Sequence, residues 1–426
     1  MKNRKALYYL LGANAVSGFA QGISMIAIPW YFINVLSEST FYGIIYAIIT
    51  MLTLPWSLYA GTLIDRYPRK NIFLALCICG ALVLGSVSAS GFAMGEVNAA
   101  LVALVFGFTI FNYNVHFPTL YAFGQEITEK QHYGRTNSML EIQHQLTTML
   151  SGGMAAVLLT GTSSSHSFLK EYLPFEIEAW ELHEIFLLDA ITYVIAFSLI
   201  SMIRYTPPVD KKVDTGKIWD RFVTGLQFLK KNSKVTWFGV ASYTVFIVLL
   251  IHSFYIVSIY VKDHLHQNAD VYAVGEMIYC IGAVTAGLFI RKIFKNVNVI
   301  LSVLILMFIT IGIFWMCAFT NSVTVLYLFC ITIGLTNAGI RILRITYLFN
   351  HIPNHIIGRA NSVFNSSNII LRAAFIGLFT LPFFHSDNIV WGYFICGLFV
   401  LISIFPILYF YKGLVKKEKE LEEVDG

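Results

Sequence analysis

The charged side chains Glu141, Asp189, Glu276, Arg341, Arg344 and Arg372 sit inside long apolar runs of the sequence, with His116, His144 and His252 as titratable companions. A charge in such surroundings is costly unless it is paired, hydrated or used, so each is a functional candidate. Spacing groups them with amides and hydroxyls. Asn361, Asn365, Asn368 and Arg372 follow at intervals of four, three and four, which is one face of a helix. Asn137, Glu141, His144 and Thr148 repeat that spacing 224 residues earlier. Asn337, Arg341 and Arg344 share another face, as do Asn112, His116 and Thr119, and Asn14, Gln21 and Ser24. Carboxylates and imidazoles take up and release protons, amides hydrogen-bond a polar ligand, and guanidinium groups hold anions. Asn14, Gln21, Asn112, His116, Asn365, Asn368 and Arg372 are the candidates for lining a polar cavity. Glu141, His144, Glu276, Arg341 and Arg344 are the candidates for proton uptake or a gate. Trp30, Tyr113, Tyr243, Tyr255 and Tyr279 would supply apolar walls.

Each role has a plainer alternative. Glu141 with Arg341 or Arg344 is either a gate opened by protonation or a static ion pair. Arg372 either contacts an anionic group or balances an acid. Asp189 caps or orients its helix, Glu276 couples protons or solvates a helix end, and the histidines serve as hydrogen-bonded structural groups. No HExxH, GxSxG or phosphate-binding glycine loop is present, so neither an enzyme nor a cofactor is expected. The cysteines Cys77, Cys79, Cys280, Cys317, Cys330 and Cys396 all lie in apolar runs and read as small buried hydrophobes, with no metal expected.

The elements that carry these residues are membrane helices. Of 426 residues, 57% are hydrophobic and 12% charged, against about 25% charged in soluble domains. Apolar runs long enough to span a bilayer fall at 6–35, 41–64, 71–92, 97–123, 137–160, 183–203, 235–261, 271–290, 298–319, 323–348, 358–383 and 389–411, which makes twelve. With the amino terminus inside, only Lys170 and Lys262 of the 29 Lys and Arg fall outside and only Arg341, Arg344 and Arg372 within spans. The rest lie on the inner side, so both termini are expected in the cytoplasm. The net charge of +5 therefore marks membrane orientation and no nucleic-acid partner. The segment 161–182, with Glu171, Glu176, Glu178 and Glu181, fits an outer loop. In the central loop, Ile218, Trp219, Phe222, Leu226 and Leu229 share one face, which predicts an amphipathic helix on the inner membrane surface.

An internal repeat organises the spans. Gly134-Arg-Thr-Asn-Ser recurs as Gly358-Arg-Ala-Asn-Ser, at the inner start of spans five and eleven. Gly61-x3-Asp65-Arg66-x2-Arg69-Lys70 after span two recurs as Gly287-x3-Arg291-Lys292-x2-Lys295 after span eight. Two matches six spans apart imply parallel halves, with a first half at 1–203, a linker at 204–234, a second half at 235–412 and a charged tail at 413–426.

GTLIDRYPRK resembles the signature of the major facilitator superfamily between spans two and three, with Pro68 where glycine is usual. LLDAITYVIAFSLISMIRYTP, DRFVTGLQFLKKN and the Pro118 span leading into GRTNS resemble the branch of bacterial macrolide-efflux and siderophore exporters, although span five lacks the proline motif of many drug–proton antiporters. The resemblance implies an all-α membrane protein, twelve helices in two six-helix halves, working by alternating access in a bacterial inner membrane. It implies that Gly61, Asp65, Arg66, Arg69 and Lys70 form a conformational-switch motif, with Asp65 at the amino terminus of span eleven; the plainer reading is a positive loop anchor. The expected function is proton-coupled export of a small amphipathic organic molecule. The alternative is a carrier, importing or exporting, of an anionic solute or lysolipid bound through the membrane arginines. The expected partners are the small solute, protons and lipid, and a monomer is expected.

Overall fold

The computed structural model describes residues 4–129, 132–161, 177–204 and 218–425. The chain forms α1 (Arg4–Trp30), α2 (Ser39–Arg66), α3 (Arg69–Met94), α4 (Ala99–Glu126), α5 (Tyr133–Thr160) and α6 (Leu182–Ser201). After α7 (Ile218–Lys231) come α8 (Ser233–Ile251), α9 (Ala269–Ile293), α10 (Val299–Ala318), α11 (Val323–His351), α12 (Asn354–Phe379) and α13 (Val390–Asp425). The protein is thus an all-α membrane protein in which α1–α6 and α8–α13 supply the twelve spans. Eleven are long and apolar enough by themselves to cross a bilayer. The remaining one, α5, is 28 residues long, and Glu141, Gln143, His144 and Gln145 make it too polar to register by hydropathy. The helix expected to do polar work is the one that composition alone least marks as a span.

Two compact units form. One comprises Met1–Asp214 with Gln267–Met277, and the other Thr215–His266 with Ile278–Gly426. The helix pairings of one recur in the other six spans later. In the first unit α3 packs on α6, and α1 on α6 and α5. In the second α10 packs on α13, and α8 on α13 and α12. The ends match as well, since α1 runs on into the π-helical turn Tyr31–Val35 and α8 into π-helical turns at His252–Ile256 and Tyr260–His264. Such turns are rare insertions in regular helix.

Local chemistry sets where helices begin and stop. Asn98 and Asn298 cap α4 and α10 through their side-chain oxygens, each accepting a backbone N–H at 2.8 Å. Gly95 ends α3 with φ +81°, a left-handed cap that a side chain would strain. Ser17, Thr119, Ser302 and Thr310 return their hydroxyls to carbonyls four residues back, so these polar groups are not left facing hydrocarbon. Large apolar side chains such as Leu82, Leu104, Ile402 and Phe405 stand outward, as a lipid-facing surface requires.

The amphipathic segment is a helix, α7, and part of it packs on α12. Gly225 lies against the backbone of Arg359 in α12 and Leu229 is buried, whereas Leu226 is exposed. A side chain at 225 would collide with the Arg359 carbonyl. The expected loop residues Glu171 and Glu176, and the linker's Pro207, Pro208, Lys211, Lys212 and Lys217, lie outside the described residues. The charged tail continues α13 as helix to Asp425.

Candidate functional site: a polar cluster in each half

In the first half, α1, α4, α5 and α6 join through buried polar side chains. Asn14 occupies the hub, where its amide oxygen accepts from His116 Nε2 at 2.7 Å and its amide nitrogen donates to Gln143. Gln143 passes the chain to Thr147 at 2.8 Å. Two to three turns further along α1, Gln21 donates to the Tyr193 hydroxyl at 2.8 Å and Ser24 to Asp189 Oδ2 at 2.8 Å. Asn112 of α4 also donates to the Tyr193 hydroxyl, at 2.9 Å. Gly80 of α3 leaves room for that tyrosine, since a Cβ there would come within 2.8 Å of its ring. A small cavity lined by Asn14, Ser17, Cys77, His116 and Tyr193 lies beside the network.

Asp189 does not cap α6. That cap is made by Glu181 and Glu184, the Glu181 N–H donating to Glu184 Oε2 at 2.7 Å. Asp189 sits in the helix body, wholly buried, and ties α6 to α1. Glu141 is half-buried and accepts from the Tyr121 hydroxyl at 2.9 Å and from Gln145 at 3.1 Å. The His144 ring meets the Phe117 ring edge-on, with centroids 5.0 Å apart. Glu276 is half-buried on α9.

Arg69 and Lys70 of the loop motif have partners within the first half. Arg69 is buried, its Nε 3.6 Å from the Glu126 carboxylate at the end of α4, and it donates to the Tyr67 carbonyl. Lys70 donates to the carbonyls of Ser201 and Ile203, at 2.9 and 2.7 Å, where α6 has run out of its own N–H partners. Arg66 is exposed, over the Tyr67 ring, and Gly61 faces open space. The Asp65 side chain lies outside the described residues. Lys70→Met should therefore destabilise the half by about 1 kcal/mol, since it removes a charged donor from a helix carboxyl end. A lower unfolding midpoint in detergent, with the fold retained, checks it; an unchanged midpoint refutes it.

In the second half, Arg344 of α11 is buried, stacked 3.6 Å from the centre of the Tyr243 ring, and donates to the Ser242 carbonyl at 2.9 Å. Its Nε has no partner. Arg341 is half-buried one turn before it, and Asn337 donates to the Tyr279 hydroxyl at 3.2 Å. On α12, Asn368 is buried with its amide nitrogen unpartnered, and the Arg372 Nε four residues on is buried and unpartnered too. Asn365 is exposed. No described carboxylate forms an ion pair with Arg344 or Arg372. The sequence explains why: from Ile278 to Ser386 it contains no Asp or Glu at all.

The sequence matches the profile of the Major Facilitator Superfamily over residues 10–376. The chain belongs to that superfamily. Solved structures agree on the fold. A bacterial homologue of the iron transporter ferroportin in its inward-facing state superposes with a TM-score of 0.70 at 14% identity, covering 95% of this chain and 98% of its own. The nucleoside transporter NupG gives 0.67 at 14%, covering 96% and 99%. The human organic anion transporter TETRAN gives 0.63 at 12%, covering 96% and 100%. A search of curated proteins found no match. A superfamily member of this kind is a multi-pass membrane transporter of small molecules and not an enzyme.

For such a transporter, the buried clusters hold more residues than spacing alone points to. Gln143 and Tyr193 belong to the first-half network beside the expected Asn14, Gln21, Asn112, His116 and Asp189. One signal for Tyr193 was available, because it stands four residues after the candidate Asp189 on the same face of α6.

Proposed function

We propose that the protein is a secondary transporter that exports a small amphipathic organic molecule bearing an anionic group, in exchange for protons, across a bacterial inner membrane. The observation that carries the anionic group is the acid-free stretch Ile278–Ser386 with its unpartnered donors on Asn368 and Arg372. A guanidinium in a membrane span needs a counter-charge, and its own half supplies none there. The amphipathic character follows from the aromatic surroundings, with Tyr243 stacked on Arg344 and also 6.0 Å from Phe364 of α12. Proton exchange follows from the acids and imidazoles of the first half, Glu141 and His144 among them, and Glu276 is a further candidate. The outward direction and the bacterial membrane rest on the resemblance of LLDAITYVIAFSLISMIRYTP and GRTNS to the macrolide-efflux and siderophore-exporter branch. Cytoplasmic termini rest on the Lys and Arg distribution.

The test is flux in proteoliposomes under an imposed pH gradient, using a fluorescent carboxylate dye and its uncharged methyl ester. The acid should be moved by the gradient, the ester poorly, and a protonophore should abolish accumulation. Equal transport of acid and ester sinks the anionic group; flux indifferent to the gradient sinks the exchange.

A further inference from the structure

We infer that Asp189 is the site that loads the coupling proton. This rests on the reading of the protein as a proton-coupled carrier and names the residue that does the coupling.

The geometry is that of a carboxyl with one oxygen served and one left over. Asp189 is wholly buried in α6, and Oδ2 accepts from Ser24 of α1 while Oδ1 has no partner. An ionised carboxylate is acceptor-only and needs donors on both oxygens, or a cation, to stay buried. Neither is present among the described residues. The titratable groups that face it are Tyr113 of α4 and Tyr193 of its own helix, with Cys77 of α3 against Tyr193. No described basic side chain pairs with it. A proton on Oδ1 removes the charge and turns an unserved acceptor into a donor.

The surroundings also provide for release. The Tyr193 oxygen is already accepting twice, from Gln21 and Asn112, and its own proton goes to no described acceptor. Tyr193 stands one turn from Asp189 on the same helix, close enough to feel its charge while making no hydrogen bond to it. Asn112 Oδ1, whose amide nitrogen is bonded to the same Tyr193 hydroxyl, is a second buried acceptor without a donor. Asp189 lies about 10 Å along α6 from its start at Leu182, and the cavity beside His116 and Tyr193 reaches the same network. The proton comes from water, rests on Oδ1 and returns to water; no other bond changes. Glu141, by contrast, already accepts from Tyr121 and Gln145.

The decisive variant is Asp189→Asn, which keeps the size of the side chain and mimics the loaded state. In proteoliposomes it should lose pH-driven accumulation of the carboxylate dye by at least about tenfold, yet still exchange dye for dye with no gradient. In parallel, infrared spectra of the purified wild type should contain a protonated-carboxyl band that is lost in Asp189→Asn. Undiminished pH-driven accumulation in the variant overturns the proposal, as does an unchanged carboxyl band. A wild type driven by a sodium gradient but not by a pH gradient, with that drive lost in the variant, makes the site a sodium site and also overturns it. A wild type that moves no dye under any gradient refutes the transport reading instead, and the infrared arm still decides whether Asp189 holds a proton. Should Asp189→Asn not fold, Ser24→Ala keeps the acid and strips its donor, and the same band must then shift in frequency; a band that stays in place overturns the assignment.

Discussion

Arg372→Ala is expected to raise the half-saturation concentration for a carboxylate-bearing solute about ten- to a hundredfold and to leave that for the matching neutral ester unchanged. A hydrogen bond to a charged group contributes roughly 1.5–3 kcal/mol, and each 1.4 kcal/mol is about a factor of ten in affinity. Arg372 suits this role because no described acid engages it. Its Nε is buried without a partner, and Asn368 presents a second unused donor four residues back on the same helix face. Together they form an acceptor-seeking pair in a stretch with no acid of its own. Arg372→Lys keeps the charge and loses the planar fork, so its effect should fall between alanine and wild type. Equal shifts for acid and ester, or no shift for either, would remove Arg372 from the site.

Arg344 should behave differently, although its chemistry is the same. Its guanidinium is stacked on Tyr243 and bonded to the Ser242 carbonyl, so its removal empties a packed site. The loss should appear as less folded protein, with the affinity ratio between acid and ester little changed. The proposed function thus assigns one membrane arginine to the fold and another to the cargo.

That distinction was not legible in the sequence. Spacing placed Arg341, Arg344 and Arg372 in spans and on polar faces, and the structure puts them in α11 and α12. Which arginine is already engaged depends on Tyr243 and Ser242, residues about a hundred positions away on α8, and no local pattern encodes such a pairing. The first half shows the same limit. Asn14, Gln21, Asn112 and His116 could be marked because amides and imidazoles are conspicuous in apolar runs. Tyr193 passes for an ordinary aromatic until α1 and α4 are brought against α6. The topology was far more legible, because the bilayer imposes a length and a composition on every span. The least marked span is α5, whose polar stripe lowers its hydropathy while the GRTNS and GRANS repeat supports it. Lys70 shows a further case. Its charge suggested a loop anchor or switch, and its partners are the last carbonyls of α6, a contact that only the pairing of α3 with α6 creates.

The largest effect on folding is expected from Gly282→Val. Without a hydrophobic drive between helices in lipid, close packing of small residues does the holding, and in the second half α9 and α11 approach backbone to backbone. A Cβ at Gly282 would run into the Ile331 carbonyl and come within 2.9 Å of the Leu335 nitrogen, and one at Gly334 would meet the Tyr279 carbonyl and the Ala283 nitrogen. Ala283, Ala286 and Ala338 continue the seam, with Tyr279 and Leu335 packed on it. Backbone on both sides cannot rotate away as a side chain can, so relief requires the helices to separate and the alanine seam to open. Overpacking in a core costs about 1–3 kcal/mol even where side chains can yield; here the cost should exceed about 3 kcal/mol and drop the unfolding midpoint by more than roughly 5 °C. Gly287→Ala is the matched control, on the same helix with nothing within 4 Å of its Cβ position, and should behave as wild type. Similar melting of the valine variant and the control would show that the seam is looser than this geometry. A valine variant that melts early, with normal substrate affinity in the fraction that folds, would place the glycine pair in the scaffold and leave Arg372 and Asp189 as the groups that handle cargo and proton.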